Sequence, residues 1–183
     1  MAYDPEKIEA LITRIKLEDR EAFGELYDLF SADIYRFAFV MVREKCEAQD
    51  IVSETFVRVW RSILRYEKGN FRAYVFMIAR NLAMDALRKR KRAVVPVPDE
   101  NEIEDTQISP IIDDVVKSEE EKLIYTMLMQ LSPEYREIIS LRFMQGMSTK
   151  EVSDLLGKSE ASVKITQHRA MTKLREKLQH YER

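Results

Sequence analysis

Cations and short hydrogen-bonding side chains collect in one stretch near the C-terminal end, Ser148 to Arg175. Ser148, with Glu151 three residues on, makes a capping box that Met147 and Val152 close as a hydrophobic staple. Val152, Leu155 and Leu156 supply an apolar stripe, and Gly157 follows as a residue able to turn left-handed at a helix end. Ser159 caps a second helix after a two-residue break. Val163, Ala170 and Leu174 face inward on it. Lys158, Lys164, Arg169, Lys173 and Arg175 are left for its outer surface and ends, and Ser159, Glu160, Ser162, Thr166 and Gln167 lie near its leading end. Short helix, glycine turn and basic second helix form the helix-turn-helix pattern. The chemistry it offers is duplex reading: a helix fits the major groove, its leading residues reach base edges, and flanking cations meet phosphates. The same residues also suit an ordinary helical hairpin with a solvated basic face.

A second chemistry-bearing stretch is FRAYVFMIARNLAMDALRKRKR, Phe71 to Arg92. Phe71, Val75, Ile78 and Leu82 share an inner side, which leaves Arg72, Tyr74, Phe76, Arg80 and Asn81 available elsewhere, and the helix ends in the cations Arg88 to Arg92. Rings beside cations suit a single nucleic-acid strand, since each base stacked on an aromatic side chain is worth roughly 1–3 kcal/mol. The competing account makes Tyr74 and Phe76 core and lets the terminal cations serve the helix dipole. Just upstream, Val52, Thr55, Phe56, Val59 and Ile63 fall on one helical face, with Asp50, Glu54, Arg58 and Arg61 on another. That charged side is either solvated or a docking face for another protein.

Catalytic groupings are missing. The chain has two histidines, His168 and His180, and one cysteine, Cys46, so a zinc-finger site is not expected. No glycine-rich phosphate loop follows a strand, and the acids form no constellation with a base or nucleophile. The expectation is a protein that is not an enzyme and needs no cofactor or metal. A lone cysteine excludes an intrachain disulfide and suits a reducing compartment. The N-terminal MAYDPEKIEA has no cationic start followed by an apolar run, and no stretch is long and apolar enough to span a bilayer. A cytoplasmic protein is expected.

The elements that must hold these groups are helices. Among 183 residues, 34% are charged and only four are glycine and five proline, a mix that favours helices and starves turns and sheets. The net charge of −2 hides segregation: Phe71 to Arg92 is basic, Asp99 to Glu121 acidic, Lys158 to Arg183 basic again. Asp4 and Pro5 start a helix with Ile8, Leu11, Ile12 and Ile15 on one stripe. Phe23, Leu26, Tyr27, Phe30, Ile34, Phe37, Ala38 and Met41 form the broad face of a second. Asn70 can cap the basic-aromatic helix. Residues 93–117 hold Pro96, Pro98, Pro110 and clustered acids without helical period, which reads as an acidic flexible linker; fully extended it reaches roughly 80 Å at about 3.3 Å per residue. Beyond it, Leu123, Ile124, Met127, Leu128 and Leu131 form a stripe, and Ser132–Pro133 starts another helix with Tyr135, Ile138, Ile139, Leu141, Arg142 and Phe143, which Gly146 ends. The expected fold is all-α: two small helical domains, residues 1–92 and 118–183, joined by the linker.

Three motifs stand in order, EAQDIVSETFVRVW, FRAYVFMIARNLAMDALRKRKR and LSPEYREIISLRFMQGMSTKEVSDLLGKSEASVKITQHRAMTKLREKL. Together they resemble a bacterial RNA polymerase sigma factor of the sigma-70 family, in the compact form of the extracytoplasmic function (ECF) group. The resemblance covers nearly the whole chain except the acidic linker. It implies that residues 1–92 correspond to sigma region 2 and 118–183 to region 4, with core RNA polymerase, promoter DNA and an anti-sigma factor as partners. Asp50, Glu54, Thr55 and Arg58 are the implied polymerase-docking residues. Leu64, Tyr66, Phe71, Arg72, Arg80, Asn81, Arg88, Lys89 and Arg90 match the part that melts the downstream (−10) promoter element and holds its separated strand. Lys158, Ser159, Ser162, Lys164, Thr166, Gln167, Arg169 and Lys173 match the duplex reader of the upstream (−35) element. Two positions depart from the family pattern, which often has arginine at Thr166 and leucine at Gln167. A stand-alone helix-turn-helix regulator is the rival class, but it has no need of the docking helix or of the basic-aromatic helix.

Overall fold

The computed structural model describes residues 3–67, 69–92 and 118–181, so the segment expected as a linker, residues 93–117, lies outside it. Eight α-helices and no strand occur among the described residues. The first four begin where local chemistry asks them to. Helix α1, Pro5–Lys16, has proline in its first turn, and the Asp4 carboxylate accepts the Glu6 N–H at 3.0 Å; Ile8, Leu11, Ile12 and Ile15 are buried along its inner side. Asp19 caps α2, Arg20–Val42, and Glu44 caps α3, Lys45–Ser62, through its carboxylate on the Cys46 and Glu47 amides. A 3₁₀ turn, Ile63–Arg65, comes next. Asn70 then caps α4, Phe71–Arg92, accepting the Ala73 N–H at 3.0 Å.

Helix α2 is the axis of this lobe. It packs against α1, α3 and α4, and Leu26, Phe30, Ile34, Phe37, Ala38 and Met41 on it are fully buried. Phe37 meets Phe76 of α4 edge-on, with ring centroids 5.7 Å apart, a favourable arrangement of two ring quadrupoles. Phe76 is therefore core, not available to a ligand as the sequence allowed. Three-dimensional crowding around α2 gives α4 a wider buried side than its own period suggested.

The second lobe comprises α5 (Glu119–Met129), α6 (Pro133–Ile139), a π-helical turn (Ser140–Met144), α7 (Thr149–Leu156) and α8 (Glu160–Tyr181). One expected apolar stripe differs in the structure. On α5, Tyr125 and Met129 are buried whereas Ile124 is exposed, because α5 also packs on α2 of the first lobe. On the α6 side, Phe143 is 52% exposed. Phe143 lies within the π turn, on the side away from the face that Ile138, Ile139 and Leu141 keep buried.

The two lobes are packed together. One apolar cluster runs through both, including Phe30, Phe37 and Phe76 from the first and Tyr125, Ile138, Leu141, Met147, Val152 and Leu155 from the second. A smaller one, Leu128, Leu131, Ile139 and Ala170, holds α8 within its own lobe.

Candidate nucleic-acid interface

The capping box at the start of α7 is complete: Glu151 N–H donates to Ser148 Oγ at 3.1 Å and Ser148 N–H to Glu151 Oε2 at 2.7 Å. Gly157 ends α7 at φ 62°, where an L side chain would be strained. Ser159 Oγ accepts the Ser162 N–H at 3.2 Å, so its oxygen is committed to starting α8. Val163 and Ala170 are fully buried against the lobe, which turns the opposite side of α8 to solvent.

That outward side differs in part from the one the polar pattern suggested. Lys164 and Arg169 are exposed on it. Lys158 pairs with Glu134 at 2.6 Å, and exposed Lys173 pairs with Glu176 at 2.8 Å. Ser162, Thr166 and Gln167 are half-buried, and Gln167 Oε1 accepts a hydrogen bond from Arg142 Nε at 3.0 Å. Gln167 thus braces α8 against the π turn. The outermost positions are Ala161, Ile165 and His168; only helical phase, counted from the buried Val163, could have singled them out.

On α3, Asp50 and Arg58 are exposed and Glu54 is half-buried, paired with Arg58 at 2.9 Å. Thr55 is fully buried, its Oγ1 donating to the Ile51 carbonyl at 2.6 Å. It cannot belong to a docking face; it lies on the same stripe as Val52, Phe56 and Val59. Trp60 and Val57 are exposed beside the charged residues.

Within the 3₁₀ turn, Leu64 projects into solvent. The Tyr66 ring packs edge-on against Phe71 at 5.1 Å and tilted against Tyr74 at 5.3 Å. Phe71 is itself buried, so it supports the loop and offers no free ring face. Arg72 sits over the Tyr3 ring at 4.7 Å, and its Nε and Nη2 are buried without a hydrogen-bond partner among the described residues. Tyr3, Ile12, Lys16, Tyr66, Asn70 and Arg72 line a cleft of about 620 Å³ between α1 and the start of α4.

Further along α4 the cations divide. Asn81, Arg88 and Lys89 are exposed, with Arg88 near Asp85 at 3.2 Å. Arg90 is not available for phosphate: it donates to the Val42 carbonyl at 2.7 Å and pairs with Glu47, strapping α4 to the α2–α3 junction. Arg80 is also engaged, its Nε donating to Glu137 Oε1 at 2.6 Å across the seam between lobes. Glu137 is only 4% exposed. Burial pushes its carboxyl above the usual range, and Arg80 offsets only part of that. A second bridge joins Asn70 Nδ2 to Glu151 Oε1 at 2.5 Å. Glu151 is pushed up by burial, but the Ser148 and Asn70 hydrogen bonds and the Arg72 charge outweigh this and hold it below its ordinary value.

Comparison with known proteins completes the picture. Residues 26–93 match the family model for sigma-70 region 2, and residues 121–174 that for sigma-70 region 4. The chain is 35% identical over 166 residues to the ECF RNA polymerase sigma factor SigX of Bacillus subtilis, an alignment spanning 87% of this chain and 84% of that protein. It belongs to the ECF sigma factors. This sigma factor is also 33% identical over 174 residues to BldN of Streptomyces coelicolor, covering 93% of this chain and 66% of the relative. Its fold resembles that of the sigma factor RpoE from Bartonella quintana, solved with the anti-sigma factor NepR, with a TM-score of 0.67 and 23% identity over 86% of this chain and 96% of the other. The family is one of transcription initiation factors, and among the described residues no helix is long and apolar enough to cross a membrane.

Proposed function

We propose that this sigma factor directs core RNA polymerase to promoters through two separate DNA contacts, with no catalytic step of its own. The observation that carries this reading is the outward cationic side of α8, where Lys164 and Arg169 stand opposite the buried Val163 and Ala170. That face reads the upstream element as duplex. The cleft beside Tyr66 and Arg72 takes an unstacked base of the downstream element, with stacking on the ring and the Arg72 charge alongside. Extruding a base costs a few kcal/mol, which such contacts offset. Asn81, Arg88 and Lys89 follow the strand, and Asp50, Glu54 and Arg58 dock polymerase. An anti-sigma factor is the regulatory partner, and the cytoplasm, where polymerase works, is the compartment.

Run-off transcription tests the reading. The chain added to core polymerase is expected to yield specific transcripts while binding the same duplex poorly alone; tight unaided operator binding without transcripts points instead to a stand-alone regulator. Substituting Lys164 and Arg169 together by Ala is expected to weaken promoter binding by the holoenzyme and to flatten its dependence on log salt by about 0.9 per lost phosphate contact. An unchanged slope removes both residues from the interface. Asn81→Ala is expected to leave polymerase binding intact and reduce permanganate reactivity of open promoter; an unaltered footprint moves the strand site elsewhere.

A further inference from the structure

The reading side of α8 is more apolar at its outermost point than its sequence suggests. Val163 and Ala170 define the buried side. Residues 161, 165 and 168 lie diametrically across from it, one or two turns apart along a single line. They are Ala161, Ile165 and His168, all exposed, with Ile165 at 54%. Thr166 and Gln167, which looked like base readers, are turned partly inward, and Gln167 is tied to Arg142. Lys164 and Arg169 flank the line on either side. A solitary exposed isoleucine is ordinary on most surfaces. Here it sits at the centre of a cation-flanked helix face, where any base pair docked against α8 must lie.

In the major groove one base-edge feature is apolar, the C5 methyl of thymine. Polar edges of guanine, cytosine and adenine would lose water against an isoleucine side chain and gain no hydrogen bond in return. We infer that Ile165, with the Ala161 methyl beside it, is a specificity-determining contact that selects thymine at one position of the duplex element. This rests on the sigma-factor reading above and adds the base and the atom recognised. His168 and Glu160 border the contact and supply polar readout at the neighbouring pairs.

The test uses holoenzyme, reconstituted from core polymerase and the full chain, and a pool of promoter duplexes randomised across the upstream element. The wild-type selection is expected to enrich thymine, on one strand or the other, at a position where Ile165→Ala loses that enrichment while the rest of the consensus persists. Alanine suits an exposed helical site, so the variant keeps the fold. In the selected duplex, replacing that thymine by deoxyuridine removes only the methyl group. Wild-type affinity is expected to fall about fourfold, as loss of one buried methyl implies, and the Ile165→Ala holoenzyme is expected to bind both duplexes equally. Indifference of the wild type to deoxyuridine at every thymine, or an unchanged preference in Ile165→Ala, overturns the inference and leaves the sigma-factor reading standing. Failure of holoenzyme to enrich any duplex overturns both.

Discussion

Glu137→Lys is expected to part the two lobes. The carboxylate is buried at the seam, and its partner Arg80 is itself mostly covered. Removing one member of a buried ion pair costs about 3–5 kcal/mol because the other is left uncompensated; reversing its sign adds like-charge repulsion. Separation relieves that repulsion at the cost of exposing the shared apolar cluster; among the described residues, Asn70 to Glu151, Gln145 to the Asp33 carbonyl at 3.4 Å and Arg43 to the Leu131 carbonyl at 3.5 Å accompany the pair across the seam. Small-angle scattering is the measurement. A compact chain of this length has a radius of gyration of about 16 Å, and the variant is expected to exceed wild type by several ångströms while keeping its helical circular dichroism. Glu137→Gln, which keeps a hydrogen-bond acceptor, is expected to stay compact. A compact Glu137→Lys chain would show that the seam does not depend on this pair.

The same group sets a pH dependence. Its carboxyl is raised by burial in the packed form, so that form binds a proton that the parted one has released. Its contribution to packing is therefore fullest below the ordinary carboxylate value of 4.5 and is lost as pH rises from there through the raised value. In Glu137→Gln this contribution to the slope is expected to vanish.

Phe37→Ala is expected to be the most destabilising single truncation in the first lobe. Its ring is fully buried at the middle of α2 and meets Phe76 edge-on. Truncating a buried phenylalanine costs about 3–5 kcal/mol, in lost transfer energy and in the cavity left behind. A small domain has only about 5–15 kcal/mol in hand. With a shift of about 4 °C per kcal/mol, thermal melting by circular dichroism is expected to drop by more than about 10 °C. Phe143→Ala, on the exposed side of the π turn, is expected to move the transition hardly at all. Equal losses in the two variants would contradict the placement of Phe143 outside the core.

Much of the fold was legible in the chain because its signals are local. A cap needs only a side chain and the amide two or three residues away. Asp4, Asn70, the Ser148–Glu151 box and Gly157 consequently act where their spacing puts them. The stripe on α2 was legible for the same reason: a 3.6-residue period is written in one helix and needs no partner to be read. The three family motifs were legible together, since their order along the chain is itself sequence information.

What tertiary structure alone decided concerns pairs distant in the chain. Arg80 and Glu137 lie 57 residues apart, and nothing near either one announces the other. Arg90 looked like a phosphate-binding cation until Glu47 and the Val42 carbonyl were found against it. Thr55 illustrates a polar type overruled by position: its hydroxyl is satisfied by the carbonyl one turn back, which allows it into the core at no hydrogen-bonding cost. On α8, residue type pointed to Thr166 and Gln167, while helical phase against the lobe exposed Ile165 instead. Sequence determines which helices form and where they start. Which side of each is spent on packing depends on neighbours brought together only by folding, and with it which charges remain free for DNA.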